Sequence, residues 1–158
     1  MQSTIRPMLE EDRSHIEEGF CDMLDRVGQL EPNRVDTDLM KGGNLERLET
    51  FLDHQIGGTI LIIEADGKPA GFAAYFLRRP DPATEYGPFK AQETVAIQEV
   101  WIHPTYRRLR LGSQLVSHIR EKHAGMTAQV LALAQNETAR LFCTSIGLQP
   151  LVTVYYGG

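Results

Sequence analysis

The chain has 158 residues, 42% of them hydrophobic and 23% charged, a make-up that suits one soluble globular domain over 1–158. No run approaches the roughly 18 apolar residues needed to span a bilayer, and "MQSTIRPMLEEDR" at the start lacks the apolar stretch of a secretory signal, so a cytoplasmic protein without a membrane partner is expected. The formal net charge of -5 argues against nucleic acid as a partner.

In chain order, "STIRPML" alternates weakly and reads as a first strand. "EEDRSHIEEGFCDMLDRV" is acidic at its start and spaces Ile16, Phe20, Met23, Leu24 and Val27 as one helical face, with Pro32 ending the region. A second helix follows Gly43, with Leu45, Leu48, Phe51 and Leu52 on its apolar side and Gly57-Gly58 closing it. "TILIIEADGKPAGFAAYFL" is a hairpin turning at Asp66-Gly67. "RRPDPATEYGPFKAQE" is a proline-containing loop long enough for a lid or substrate wall. "TVAIQEVWIH" is a strand, and "LGSQLVSHIREKHAG" a helix burying Leu111, Leu115, Val116 and Ile119. "TAQVLALA" is a strand, "NETARLFCTSIG" a helix capped by Asn136 and Gly147, and "PLVTVYY" a last strand. The order β-α-α-β-β-β-α-β-α-β implies a mixed α/β (α+β) fold, because three successive strands without helices between them disfavour a doubly wound parallel sheet.

Charge is divided unevenly: residues 1–66 carry 15 Asp/Glu and 6 Lys/Arg, residues 67–158 carry 6 and 10. Two partner surfaces of opposite sign would explain this, and so would ordinary surface solvation. Cys21 and Cys143 make no ligand or redox pattern and read as free thiols. The five histidines form no metal motif, so no metal is expected. P-loop, dinucleotide and nucleophile-elbow signatures are absent.

"IHPTYRRLRLGSQL" stands out. It lies between a strand ending near Ile102 and a helix starting near Leu111, where backbone N–H groups and the positive helix end converge on an anion. Arg107, Arg108 and Arg110 add donors suited to a diphosphate. The plainer alternative is a solvated loop.

This stretch resembles the GNAT superfamily of acyl-CoA-dependent N-acetyltransferases, whose strand-to-helix motif runs V-x-P-x-Y-R-x-x-G-x-G/A. Ile102, Pro104, Tyr106, Arg107 and Gly112 match, and Arg110 departs from it by standing where the family has its first Gly. A second family motif, N-x-x-A-x-x-L-Y-x-x-x-G-F, aligns with Asn136, Ala139, Gly147 and Leu148. The hairpin and "IRPMLEEDRSHI" look like the family's second and third strands and its opening, so the likeness spans nearly the whole chain in order.

The resemblance implies a mixed, mostly antiparallel central sheet with helices on both faces. It also implies an enzyme that moves acetyl from acetyl-CoA to an amine in a ternary complex. The amides of Arg107, Arg108, Leu109, Arg110, Leu111, Gly112 and Ser113 would cradle the diphosphate of coenzyme A. The pantetheine arm would lie between diverging fourth and fifth strands against the backbone of Trp101 and Ile102, with Asn136 as a contact or a plain helix cap. Arg110 is expected to be already helical, adding a phosphate partner. Glu99, sharing a face with Trp101 by alternation, is the expected base, with Glu93 a weaker substitute and an edge or salt-bridged glutamate the alternative. Where the family commonly has a proton-donating Tyr the chain has Cys143; Tyr155, Tyr156 or solvent are the other donors. Only ten residues follow Leu148, so the family's seventh strand is expected missing or short, its edge covered in a homodimer. The acidic N-terminal half implies a cationic acceptor. The contrary expectation, resting on Arg110 and Cys143, is a degenerate module with a coenzyme A-binding or regulatory role.

Overall fold

A computed structural model describes residues 1–33, 36–53, 57–79 and 92–151. In these the chain forms β1 (Ser3–Pro7), α1 (Arg13–Leu30), α2 (Thr37–Gly42), α3 (Asn44–Leu52), β2 (Gly58–Ala65), β3 (Lys68–Arg78), β4 (Thr94–Ile102), α4 (Leu111–Lys122), β5 (Thr127–Val130) and α5 (Glu137–Ser145). Residues 80–91 of the proline-containing loop, and the expected last strand beyond Leu151 with Tyr155 and Tyr156, lie outside the described residues. No described helix is long and apolar enough to cross a membrane.

The sheet order is β1-β2-β3-β4-β5. All neighbours are antiparallel except β4 and β5, which the α4 crossover makes parallel. Asp66 and Gly67 both take positive φ, 50° and 77°, which is the hairpin geometry that Asp-Gly favours. The fold is thus mixed and mostly antiparallel, with helices on both faces, as expected.

Each face has its own core. On one, Leu111, Leu115, Val116 and Ile119 of α4 pack on Leu61, Ile63, Ala73, Tyr75, Val95 and Ile97, with Phe142 of α5 and Ile146 just after it beside them. On the other, Ile16 and Phe20 of α1 and Leu48 and Phe51 of α3 pack on Ile60, Ile62, Phe72, Ala74 and Trp101. The helical spacings in the sequence predict both faces because buried apolar side chains recur every three or four residues. Helix α2 was not expected: it buries no residue and shows no periodicity, and only its cap, the Leu39 N–H donating to Asp36 Oδ1 (3.0 Å), marks it.

Helix α1 is pinned to β1 through Asp12. The Arg6 guanidinium donates to both its carboxylate oxygens (2.6 and 3.0 Å) and the Leu9 N–H to Oδ2 (2.7 Å). Burial alone would raise the Asp12 carboxyl, but these donors hold it below the usual carboxylate range.

Candidate active site

Strand β4 sets the geometry. Ala74 pairs with Glu99 but Tyr75 with Ile97, so Gln98 is an extra residue, a β-bulge, and it is exposed. Val95 and Ile97 face α4 before the bulge, and Val100 and Ile102 face it after. Trp101 belongs to the opposite core, and Glu99 reaches Arg47 of α3 on that side. The expected sharing of a face by Glu99 and Trp101 is therefore met, whereas Gln98 is the inserted residue and not a partner of Val100 and Ile102.

The bulge also marks where β4 and β5 part. Their pairing runs from Thr94 with Thr127 to Ile97 with Val130 and stops. Strand β4 continues to Ile102 without a β5 partner. The strand expected over "TAQVLALA" is accordingly four residues long, and Leu131 beyond it is exposed.

After Ile102 a 3₁₀ turn at Pro104–Tyr106 leads into the arginine loop. Here one expectation is overturned. Arg110 is not helical: it is the N-cap of α4 in the left-handed region, φ 60° and ψ 17°, and Arg108 is left-handed too, φ 68°. The chain thus adopts with arginines the backbone that glycine adopts freely, at a cost of roughly 1–2 kcal/mol for each. The Arg110 carbonyl accepts from the Gln114 N–H (3.0 Å), closing the first turn. Arginine can only donate, so the Arg110 side chain does not cap the amides of the first turn, Leu111 to Ser113. The N-terminal end of α4, with exposed Arg108 and Arg110 beside it, carries positive charge of the kind that attracts an anion.

Arg107 behaves differently from its neighbours. Its guanidinium is tied back along the surface, Nε donating to the Ile102 carbonyl (2.9 Å) and Nη2 to Asp22 Oδ2 (2.6 Å). The same Asp22 oxygen accepts from Trp101 Nε1 (2.7 Å). Asp22 of α1 therefore straps the start of the loop to the end of β4. Gly112 is buried under α5, where a Cβ would stand 3.3 Å from the Phe142 ring, so it also sets how closely the two helices pack.

Glu99 is only 12% exposed and forms an ion pair with Arg47, whose guanidinium lies 4.9 Å from the centroid of the Phe20 ring. Burial pulls the Arg47 guanidinium down from its usual value. Trp101 is flanked by two imidazoles, His15 at 5.1 Å and His103 at 5.8 Å between ring centroids. His103 approaches Glu18 (3.6 Å). His15 Nε2 is buried without a partner among the described residues, and burial lowers the His15 pKa.

Asn136 caps α5, its Oδ1 accepting from the Ala139 N–H (3.1 Å). Cys143 is half-buried on the same helix, and burial pushes its thiol up. Both cysteines are free. Glu93 lies just before β4, its carbonyl accepting from the Thr127 N–H (3.0 Å).

Sequence reasoning missed Asp22, Arg47 and His15. A signal existed for Arg47, which sits one turn before Phe51 and next to Leu48, at the margin of an otherwise apolar helix face. Asp22 and His15 carry no comparable mark on the acidic helix α1.

No curated protein matches the chain. Solved structures do. A mutant of the BH1408 protein from Bacillus halodurans is 14% identical, with 98% of both chains covered and a TM-score of 0.82. The aminoglycoside N-acetyltransferase AAC(6')-Iy in complex with CoA is 17% identical, covering 99% of this chain and 94% of its own, with a TM-score of 0.70. Glucosamine-6-phosphate N-acetyltransferase from Arabidopsis thaliana is 16% identical, covering 100% and 99%, with a TM-score of 0.60. At such identities the likeness is one of fold. The model of the acetyltransferase (GNAT) family matches residues 30–148, which hold the hairpin, the β4 bulge, the arginine loop and the capped helix α5, and the chain belongs to that family.

Proposed function

We propose that this domain, over 1–158, transfers acetyl from acetyl-CoA directly to an amine in a ternary complex. The observation that carries the reading is the pairing of β4 with β5 ending at Ile97, beside a β4 that runs on toward the α4 N-terminus. A long ligand ending in a diphosphate fits that layout: an arm along the unpaired part of β4 and the phosphates on the amides of Arg107 to Ser113. The neighbouring aminoglycoside N-acetyltransferase, solved with CoA, supports the choice of cofactor, and its name and that of the glucosamine-6-phosphate N-acetyltransferase support an amine acceptor. The side chains of Arg108 and Arg110 add charge there, whereas Arg107 contributes its amide, its guanidinium being engaged with Ile102 and Asp22.

The amine arrives as an ammonium and must lose a proton before it attacks the thioester carbon. Glu99 takes that proton, directly or through water. A β4 backbone N–H near Ile102 polarises the thioester oxygen as the tetrahedral intermediate forms. Collapse of the intermediate expels the coenzyme A thiolate, which is protonated by the Cys143 thiol, by Tyr155 or by solvent. The raised Cys143 thiol stays protonated at neutral pH and so has a proton to give.

Calorimetry with acetyl-CoA should give a Kd on the order of micromolar. Glu99→Gln should leave that binding intact and slow transfer by about 10²-fold or more. Undetectable binding would replace this reading with that of a module that does no acetyl transfer. Binding with transfer unchanged in Glu99→Gln would remove Glu99 as the base.

A further inference from the structure

The carboxylate assigned to the proton already has a cationic partner. Arg47 reaches it from α3, a different element on the same sheet face, and is itself seated over the Phe20 ring. Phe20 is wholly buried, so the guanidinium rests on a fixed apolar platform. Its side chain is 31% exposed against 12% for Glu99, so the pair is reached from the Arg47 side.

An amine entering as an ammonium has to take Glu99 from Arg47. A simple cation would leave the guanidinium without its anion and would then sit against it as a like charge. An acceptor that brings its own anion removes both penalties. Its ammonium replaces the guanidinium at Glu99, and its carboxylate or phosphate replaces Glu99 at Arg47. The planar fork of arginine suits either oxyanion, donating two parallel N–H bonds.

We infer that the acceptor is a zwitterionic amine, one carrying a carboxylate or phosphate, and that Arg47 binds its anion while Glu99 binds its ammonium. The inference rests on the transfer reading for the role of Glu99, but the exchange of ion-pair partners is a matter of binding and is measured as such.

The test is calorimetry on the full chain, with and without coenzyme A, using a ladder of ω-amino carboxylates of increasing length. Amino-alkylphosphonates and plain alkylamines of matching lengths complete the set. At least one anionic amine should bind about tenfold or more tightly than its alkylamine counterpart. The carboxylate and phosphonate arms identify the preferred oxyanion. Arg47→Gln should abolish that preference and Arg47→Lys should keep part of it, with the thermal melt of each variant confirming a folded protein. Alkylamines binding as well as their acidic counterparts along the whole ladder would overturn the inference, as would a preference that survives Arg47→Gln. Release of free coenzyme A from acetyl-CoA is followed on the same amines. The preference without release would remove the transfer reading and leave the anion anchor standing; release without the preference would remove the anchor.

Discussion

Arg110 shows how much a single backbone angle decides. With φ at 60° it holds the turn open in front of α4, as a glycine there would. Its charge and its strain are separable by substitution. Arg110→Gly should relieve the left-handed cost and, after allowing for the greater freedom of glycine in the unfolded chain, raise stability by roughly 0.5–1 kcal/mol in a urea titration. Arg110→Ala keeps the strain and loses the charge, so it should weaken acetyl-CoA without stabilising the fold. Equal affinity in all three proteins would mean that the Arg110 side chain does not face the cofactor. Trp101, the only tryptophan, offers a second handle at this scale. Burial holds His15 neutral until the pH falls below its ordinary value of 6.5. The unfolded chain takes up that proton first, so the stability His15 contributes is complete above 6.5 and is lost as the pH falls through the lower folded value. Trp101 emission should therefore change with a midpoint below 6.5, and His15→Gln should remove that component.

Among the elements, α1 and β4 pack against each other more closely than the helix pattern alone conveys. A Cβ on Gly19 would fall 2.4 Å from Phe72 and 2.8 Å from Trp101, both rigid buried rings. Alanine ordinarily favours a helix by about 1 kcal/mol over glycine. Here the clash reverses the sign, and Gly19→Ala should destabilise by about 1–3 kcal/mol and shift Trp101 emission as α1 lifts. The helix itself is legible in the sequence because Ile16, Phe20 and Leu24 repeat at its period. The bulge at Gln98 is not, since it is a mismatch of register between two strands and leaves no mark on either alone. The left-handed arginines are hidden for a related reason: glycine would announce such a turn, and the chain has none at those two positions. Arg47 and Glu99 lie far apart in sequence and meet only because α3 and β4 share a sheet face, so alternation places Glu99 on that face, and allows for its being salt-bridged, without naming the partner.

At the scale of the molecule, the order of elements and the two apolar faces follow from local patterns, which is why fold and family were within reach of the sequence. The division of charge is the remaining global feature, and it bears on the proposed binding of acetyl-CoA through its sign. Coenzyme A is a polyanion and the chain has a net charge of -5. If net charge governed the encounter, added salt would screen a repulsion and tighten binding. The basic residues, however, are concentrated after residue 66, and Arg108 and Arg110 are exposed at the α4 N-terminus. A Debye length of about 10 Å at 0.1 M limits what the acidic N-terminal half contributes from a distance, so the arginine loop should dominate. Raising the salt from about 0.05 to 0.5 M should therefore weaken acetyl-CoA several-fold. Arg108→Ala combined with Arg110→Ala should flatten that dependence or reverse it, exposing the repulsion that the two side chains mask. Affinity that rises with salt in the unmodified protein would place the diphosphate away from this loop.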